Sequence, residues 1–293
     1  MSPGQSLVFT YSKDGSGDKN DDRCRVWNFT LTDLMLSDPA CKKIYFTKHE
    51  GGAINEAKEA YLWVNGQPKL WYAQPVQVGS IPVGSLVQFA VSGQLRNFMI
   101  VHQGLPGSVY DLSCDGTWFM MEDVYGTRQW RADRGNNAYE ASTINSILNN
   151  DFLGMMESET KEKIKSVTIP FRPGQGSGTT AQTGANGLYT KVFLLSAKEL
   201  NISRNEMPKN EGTALAYFAN VNSTGADAKR IGKLNGSPTD WWTRSPCHNY
   251  DRVIYVQGDG WCYECGSQQT KGIRPAFILP KTAMIPANRV ITR

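Results

Sequence analysis

No apolar run in this chain approaches the length needed to cross a bilayer. The opening MSPGQSLVFTYSKDGSGDKNDD also lacks the basic segment and long apolar stretch of a secretory leader. Membrane insertion and export by a signal peptide are therefore not expected. No block of Lys and Arg stands out, and a net charge of +4 spread along the chain does not announce nucleic acid as a partner. Histidine is scarce: His49, His102 and His248 fall in separate segments, and no Ser sits in a G-x-S-x-G pattern, so nucleophilic hydrolysis lacks its parts. His102 follows FMIV and reads as a hydrogen-bonded residue at a strand end. No phosphate-binding loop and no dinucleotide fingerprint occur. Asp111, Asp115, Glu122 and Asp123, near Trp118, read as turn and loop carboxylates in preference to an acid–base pair.

Six cysteines in 293 residues (Cys24, Cys41, Cys114, Cys247, Cys262, Cys265) are too few for a disulfide framework, and mostly reduced thiols are expected. Cys262-Tyr263-Glu264-Cys265, with Cys247 and His248 upstream, offers four soft ligands to zinc. A thiol-exchange pair is a further reading, although such a pair normally sits at a helix N-terminus, and Gly260 and Gly266 here suggest a loop. Incidental loop cysteines are the preferred reading, with no metal and no cofactor.

What the chain does have is glycine (28 residues), aromatic side chains (11%) and a hydrophobic share of 40%, which favour strands and loops over a helical bundle. A chain this long can bury roughly 75% of its unfolded surface. YLWVNGQPKLWY (61–72) places two aromatic runs around Asn65-Gly66 and predicts a β-hairpin. With LVFTYS and KKIYFT before it, residues 1–75 read as a β-rich module, and QPVQVGSIPVGS (74–85) as its linker. LVQFAVSGQLRNFMIVHQG (86–104) predicts a second hairpin. In STINSILNNDFLGMMESETKEKIKSV, Ile144, Ile147 and Leu148 share a helical face capped by Ser142 or Thr143, and Ser158 is expected to cap a second helix carrying Ile164 inward. TIPFRPGQGSGTTAQTGANG (168–187) reads as an exposed excursion, and KVFLLSAKEL (191–200) as an apolar strand or short helix.

The segment WWTRSPCHNYDRVIYVQGDGWCYECGSQQTKGIRPAF (241–277) is the most unusual stretch. Tyr250, Tyr255, Trp261 and Tyr263 offer rigid amphipathic contact area, while His248, Asn249, Asp251, Arg252, Asp259 and Ser267 offer adaptable hydrogen bonds, the mixture recognition surfaces use. The competing reading is an irregular loop with some aromatics turned into the core. On either side, Trp241, Trp242 and Arg244 in WWTRSP and Arg274 in GIRPAF combine large apolar groups with an Arg next to a proline-restricted backbone. They are read as scaffold, with the two Arg as buried anchors for carboxylates or loop carbonyls.

VHQGLPGSVYDLSCDGTWFMMEDVY (101–125), STINSILNNDFL (142–153), KRIGKLNGSPTDWWTRSP (229–246) and GIRPAF (272–277) together resemble a domain common in phage and prophage proteins of gut bacteria, over roughly residues 78–280. Its C-terminal part resembles a C-type lectin-like fold. Some members look like the variable target proteins of diversity-generating retroelements, in which codons between a W-W-x-R-S-P start and a G-x-R-P-A end are rewritten at adenines. The resemblance implies an α+β chain: a C-type lectin-like domain over 78–293, with short strands, two or so helices and long loops, after the β-rich module at 1–75. It also implies a variable region at about 247–269. Asn-type codons altered at adenines can yield Asn, Asp, Tyr, His, Ser, Gly, Cys, Arg, Val or Ile. Cys247, His248, Asn249, Tyr250, Asp251, Arg252, Tyr255, Asp259, Tyr263, Cys265 and Ser267 fit that set; Gln257, Trp261, Glu264, Gln268 and Gln269 do not. Codon rewriting would also account for the cysteines without metal chemistry.

The expectation is thus a non-enzymatic ligand- or receptor-binding protein, in the setting of a phage tail or bacterial surface. The expected ligand-binding residues are those eleven together with Trp261. Its partners would be a bacterial cell-surface protein or glycan, other virion proteins through the N-terminal module, and further copies of itself. The alternatives are a structural virion protein, or an oxidase resembling the formylglycine-generating sulfatase modifiers that uses Cys262 and Cys265. The Glu-Pro-Asn, Gln-Pro-Asp and Trp-Asn-Asp motifs of calcium-dependent sugar-binding lectins do not occur.

Overall fold

The computed structural model describes residues 75–132, 136–174, 180–203, 210–247 and 251–292, and before them only the backbone of short strands at 45–46, 55–56, 59–64 and 67–73. The chain divides into two compact units, Met1–Pro75 and Val76–Arg293. In the first, Glu59–Val64 pairs antiparallel with Gln67–Ala73, bringing Val64 opposite Gln67, and Tyr45–Phe46 pairs with Asn55–Glu56. The Asn65-Gly66 connection and the LVFTYS run lie outside the described residues.

The second unit is an α+β fold dominated by strands. Its two larger sheets use β1 (Leu86–Val91), β2 (Gln94–Gly104), β3 (Gly116–Met121), β4 (Gly126–Gln129), β5 (Val192–Phe193), β6 (Trp241–Pro246), β7 (Arg252–Val256), β8 (Cys262–Gly266), β9 (Thr270–Ile273), β10 (Ala276–Leu279) and β11 (Val290–Ile291). One sheet runs β5-β10-β3-β2-β1-β11, with each neighbouring pair antiparallel. The β1–β2 turn is Ser92-Gly93, both at positive φ (51° and 74°), as a two-residue hairpin turn requires. Phe89, Phe98, Phe119 and Phe277 pack together on this sheet at centroid distances of 5.2–5.5 Å.

Residues 75–85 of the expected linker are not free. Val78 and Ile81 are buried, the Val78 and Gly79 amides donate to Ala283 O and Lys281 O, and Gln103 Nε2 donates to Val78 O and Ile81 O. Their apolar side chains give this stretch a place in the core. The 168–187 excursion is corrected only in its first part: residues 180–187 are exposed or half-buried, whereas 168–174 are mostly buried. Val167–Ile169 pairs with Leu188–Thr190, Phe171 pairs with Gln182, and Phe171 and Arg172 are buried.

The helix begins at Thr143 with the Ser142 hydroxyl accepting from Asn145 N (3.0 Å), and buries Ile144 and Leu148. It continues through a π-helical turn, Leu148–Phe152, that also turns Phe152 inward. Asn149 locks it to β5: its Oδ1 accepts from Lys191 N and Val192 N, and its Nδ2 donates to Val192 O. Glu157, not Ser158, precedes the second helix, Ser158–Lys163, and its carboxylate accepts from the Thr160 hydroxyl. Ile164 is buried directly after it.

The other sheet runs β8-β7-β6-β9-β4 and carries the 241–277 segment. Only the β6–β9 pair is parallel, at Trp241 opposite Gly272. Glycine is required at 272, since a Cβ there would stand 2.6 Å from Val124 Cγ1 and 2.9 Å from Asp240 O.

Candidate binding face on the β7–β8 hairpin

All six residues of β6 are buried. Trp241 donates from Nε1 to Arg230 O (2.9 Å) and lies beneath the Arg274 guanidinium, 4.7 Å from the ring centroid. Trp242 donates to Arg128 O and packs on Trp130 and Tyr255. Arg244 meets Glu199 through two hydrogen bonds and also donates to Pro170 O and Leu194 O. Burial alone would lower the Arg244 pKa, but the Glu199 carboxylate raises it overall. Arg274 donates to Met121 O, Glu122 O and Arg230 O, and burial pushes it down to about 10. A third buried guanidinium, Arg230, donates to the carbonyls of Leu200, Asn201, Asn222, Gly225 and Gly260. These three arginines tie loops to the sheet, because backbone carbonyls and one carboxylate take up their buried donors.

From this fixed base β7 and β8 project as a hairpin, with Arg252 opposite Gly266, Val253 opposite Cys265, Tyr255 opposite Tyr263 and Val256 opposite Cys262. Among the described residues β8 is one edge of this sheet, and β4 is the other. Side chains alternate between faces along a strand. Tyr255, Tyr263 and Cys265 therefore share one face, while Arg252, Cys262 and Glu264 occupy the other. Trp261 has the same parity as Tyr263, and its carbonyl accepts from Gln257 N (2.7 Å).

The expected variable set is consequently not one uniform surface. Arg252, Asp259, Trp261 (38% exposed) and Tyr263 (49%) are exposed, and Asp251 and Cys265 partly so. Cys247, Tyr255 and Ser267 are buried, which corrects their assignment to a ligand-facing surface. The Cys247 thiol donates to the Glu264 carboxylate, and its amide donates to Arg252 O. Tyr255 is closed in by Trp242, Tyr263 and the Lys271 ammonium, which lies 4.2 Å from its ring centroid. Ser267 is fixed through its backbone to Asp251 and Arg131. His248, Asn249 and Tyr250 lie outside the described residues.

Two further features order the hairpin. Buried Asn137 donates from Nδ2 to Cys247 O (3.0 Å) and Arg252 O (2.8 Å), holding together the chain on both sides of residues 248–251. Nothing in the local sequence marks this role, because the contact crosses more than a hundred positions. Lys271 donates to Asp240 Oδ2 (2.8 Å); burial works to lower its pKa, but Asp240 raises it overall.

Cys262 and Cys265 do not form a joint site. Three positions apart on a strand, they point to opposite faces, and their Cα atoms are about 10 Å apart by strand rise. A disulfide needs less than about 7 Å, and a shared zinc needs both sulfurs on one ion. Burial pushes the Cys265 thiol up to about 11, away from the thiolate that redox or metal chemistry uses.

Four other titratable groups singled out from the sequence, His102, Asp111, Asp115 and Glu122, have structural partners. His102 Nδ1 accepts from Ala216 N (3.1 Å), and burial lowers its pKa. Asp111 accepts from Ser113 N, Asp115 pairs with Lys281 at 3.0 Å, and Glu122 accepts from Asn97 Nδ2.

No curated protein and no solved structure matches the chain. Residues 115–281, which run from just before β3 to just past β10 and include the whole β7–β8 hairpin, match a family described as a domain of unknown function. That match covers more than half of the sequence, and the chain belongs to the DUF6273 family.

Proposed function

We propose that this is a non-enzymatic binding protein that presents the β7–β8 hairpin, and with it residues 248–251 of the sequence, to a ligand from a C-type lectin-like scaffold. The observation that carries this reading is a contrast in burial. Trp241–Pro246 and Ile273–Leu279 are buried throughout, while Arg252, Asp259, Trp261 and Tyr263 between them are exposed. Exposed Trp261 and Tyr263, of one strand parity and next to Asp259, supply contact area at low entropic cost on a rigid base, while Arg252 lies on the opposite face and pairs with Glu264. In this reading the segment is rewritten between generations at adenine positions, the ligand is a protein or glycan of a bacterial surface, and the setting is a phage tail reached through the N-terminal unit. Several copies per particle would strengthen weak individual contacts. The separation of Cys262 from Cys265 weighs against the oxidase alternative.

Deep sequencing of the 3′ end of the gene in a host population tests the reading. Substitutions confined to adenines of codons 247–269, with both flanking motifs constant, are the expected result. Uniformly low variation there removes the diversification. Whole-cell binding by the full chain tests the surface itself: Trp261→Ala and Tyr263→Ala should each weaken it, and unchanged binding by both rejects this face.

A further inference from the structure

Trp261 and Tyr263 are the only exposed apolar side chains described between Asp251 and Lys271. The aliphatic residues of that stretch, Val253, Ile254 and Val256, are all buried. Trp261 and Tyr263 share one strand parity, so their rings follow one another on a single face, about 7 Å apart along the chain. Tyr263 meets Tyr255 at 83° and is not stacked on it, and Trp261 enters no ring contact among the described residues.

The cations around the two rings are engaged. Arg252, on the opposite face, pairs with Glu264 at 3.1 Å, and Lys271 pairs with Asp240 at 2.8 Å. Asp259 commits one carboxylate oxygen to Trp261 N (2.8 Å). Neutral groups stand beside the rings. The half-buried Gln257 lies opposite Trp261, and among the described residues neither its side-chain amide nor the Trp261 indole N–H makes a hydrogen bond.

These features separate the classes of ligand. An acidic ligand would meet no unpaired cation among the described residues of this face. A quaternary ammonium or lysine-like cation is held where aromatic rings enclose it, whereas two rings in succession on one strand make an open row. A protein partner of ordinary size covers about 800 Å² on each side and needs an apolar core within the patch. Two rings without an exposed aliphatic residue among those described do not supply one. A neutral sugar chain fits, because each pyranose ring has a face of C–H groups to lie on an aromatic ring and hydroxyls at its rim for uncharged hydrogen-bonding groups. We propose that the ligand of the hairpin is a neutral glycan. It lies along the row with the C–H faces of its sugar rings on Trp261 and Tyr263 and with hydroxyls on the Gln257 amide and the remaining Asp259 oxygen.

This assignment rests on the reading of the hairpin as a binding face, and the test separates the two. Binding of the full chain to host cells is measured before and after treating the cells with periodate, which cleaves the vicinal diols of sugars. Neutral and acidic polysaccharide fractions from the same cells serve as competitors. The expected result is a loss of about tenfold or more after periodate, competition by the neutral fraction alone, and a change of less than about twofold between about 0.1 and 1 M salt. Trp261→Ala and Tyr263→Ala should each weaken binding about tenfold with the thermal midpoint unchanged, while Trp261→Phe and Tyr263→Phe, which keep a ring, should stay within about threefold of wild type. Binding that survives periodate, competition by the acidic fraction, or a steep fall with salt would overturn the glycan and leave the face standing. Unchanged binding by both alanine variants, or no binding to the cells at all, would remove the face and the glycan with it.

Discussion

Glu199 and Arg244 meet through two hydrogen bonds of 2.5 and 2.7 Å, with both side chains fully buried. Tyr110 donates a further bond to Glu199 Oε1 (2.9 Å), and Ser196 N donates to Oε2. Every lone pair and donor that folding removes from water is thereby occupied, so deleting one partner strands the other. Arg244→Met is expected to cost about 3–5 kcal/mol in urea denaturation. A loss below about 1 kcal/mol would show that Arg244 is not the anchor described.

Glu211 gives a pH dependence with a defined sign. It is fully buried, accepts from the Ser245 hydroxyl and from Arg172 N, and burial pushes its pKa from 4.5 up to about 7. The folded value is the higher one, so the folded state holds the proton more tightly. Its contribution is present in full below pH 4.5, falls as the pH rises through about 7, and is constant above that. A shift of this size corresponds to a loss on the order of 3 kcal/mol. In chemical denaturation between pH 5 and pH 8, the difference between wild type and Glu211→Gln should change across this window; a pH-independent difference would show that Glu211 does not titrate there.

Tyr255 and Tyr263 face each other across β7 and β8, 6.5 Å apart, yet differ in what surrounds them. Tyr255→Ala removes a ring enclosed by Trp242 and Lys271 and is expected to cost about 2–4 kcal/mol. Tyr263→Ala should stay within about 1 kcal/mol of wild type, and its effect should show in ligand binding. Equal destabilisation by the two would mean that Tyr263 is core as well.

The strands around residues 86–104 and the helix start at Ser142 were legible because they rest on local chemistry: a Ser-Gly turn, apolar spacing and a hydroxyl cap. The anchoring roles of Arg244 and Arg274 were legible in kind, since an Arg beside proline and large apolar groups has to satisfy its donors internally. Which groups do so was not, because Glu199 lies 45 positions from Arg244. The burial of Cys247, Tyr255 and Ser267 was also hidden, since codon composition names the side chain but not its strand parity or its neighbours. Residues 74–85 misled for a related reason: Gly and Pro suggest a linker, but Val78 and Ile81 decide its place by packing.

The cysteines make a separate prediction. With Cys262 and Cys265 on opposite faces of β8 and the Cys265 thiol raised to about 11, alkylation of Cys265 at pH 8 should be slow. Mass spectrometry after mild oxidation should find no bond between the two. A Cys262–Cys265 disulfide, or one equivalent of zinc in purified protein, would contradict the strand geometry.

Gly260 links the scaffold to the exposed hairpin. Its φ is +83°, and a Cβ at this position would stand 2.1 Å from Asp227 O, in backbone that cannot move independently because Asp227 caps the turn Ala228–Arg230. The Gly260 carbonyl accepts from Asp227 N and Arg230 Nη1, so this one residue ties the Arg230 cluster to the turn before Trp261. Gly260→Ala combines a left-handed backbone penalty of about 1–2 kcal/mol with a clash that has no flexible side chain to absorb it. A loss of at least about 2 kcal/mol is expected, together with weaker ligand binding, although every contacting side chain is retained. Asp259→Ala removes only an exposed bond to Trp261 N (2.8 Å) and should leave stability within about 0.5 kcal/mol. If the two variants behave alike in denaturation, the position of Trp261 is not set by the Gly260 turn, and its support must come from β8 itself.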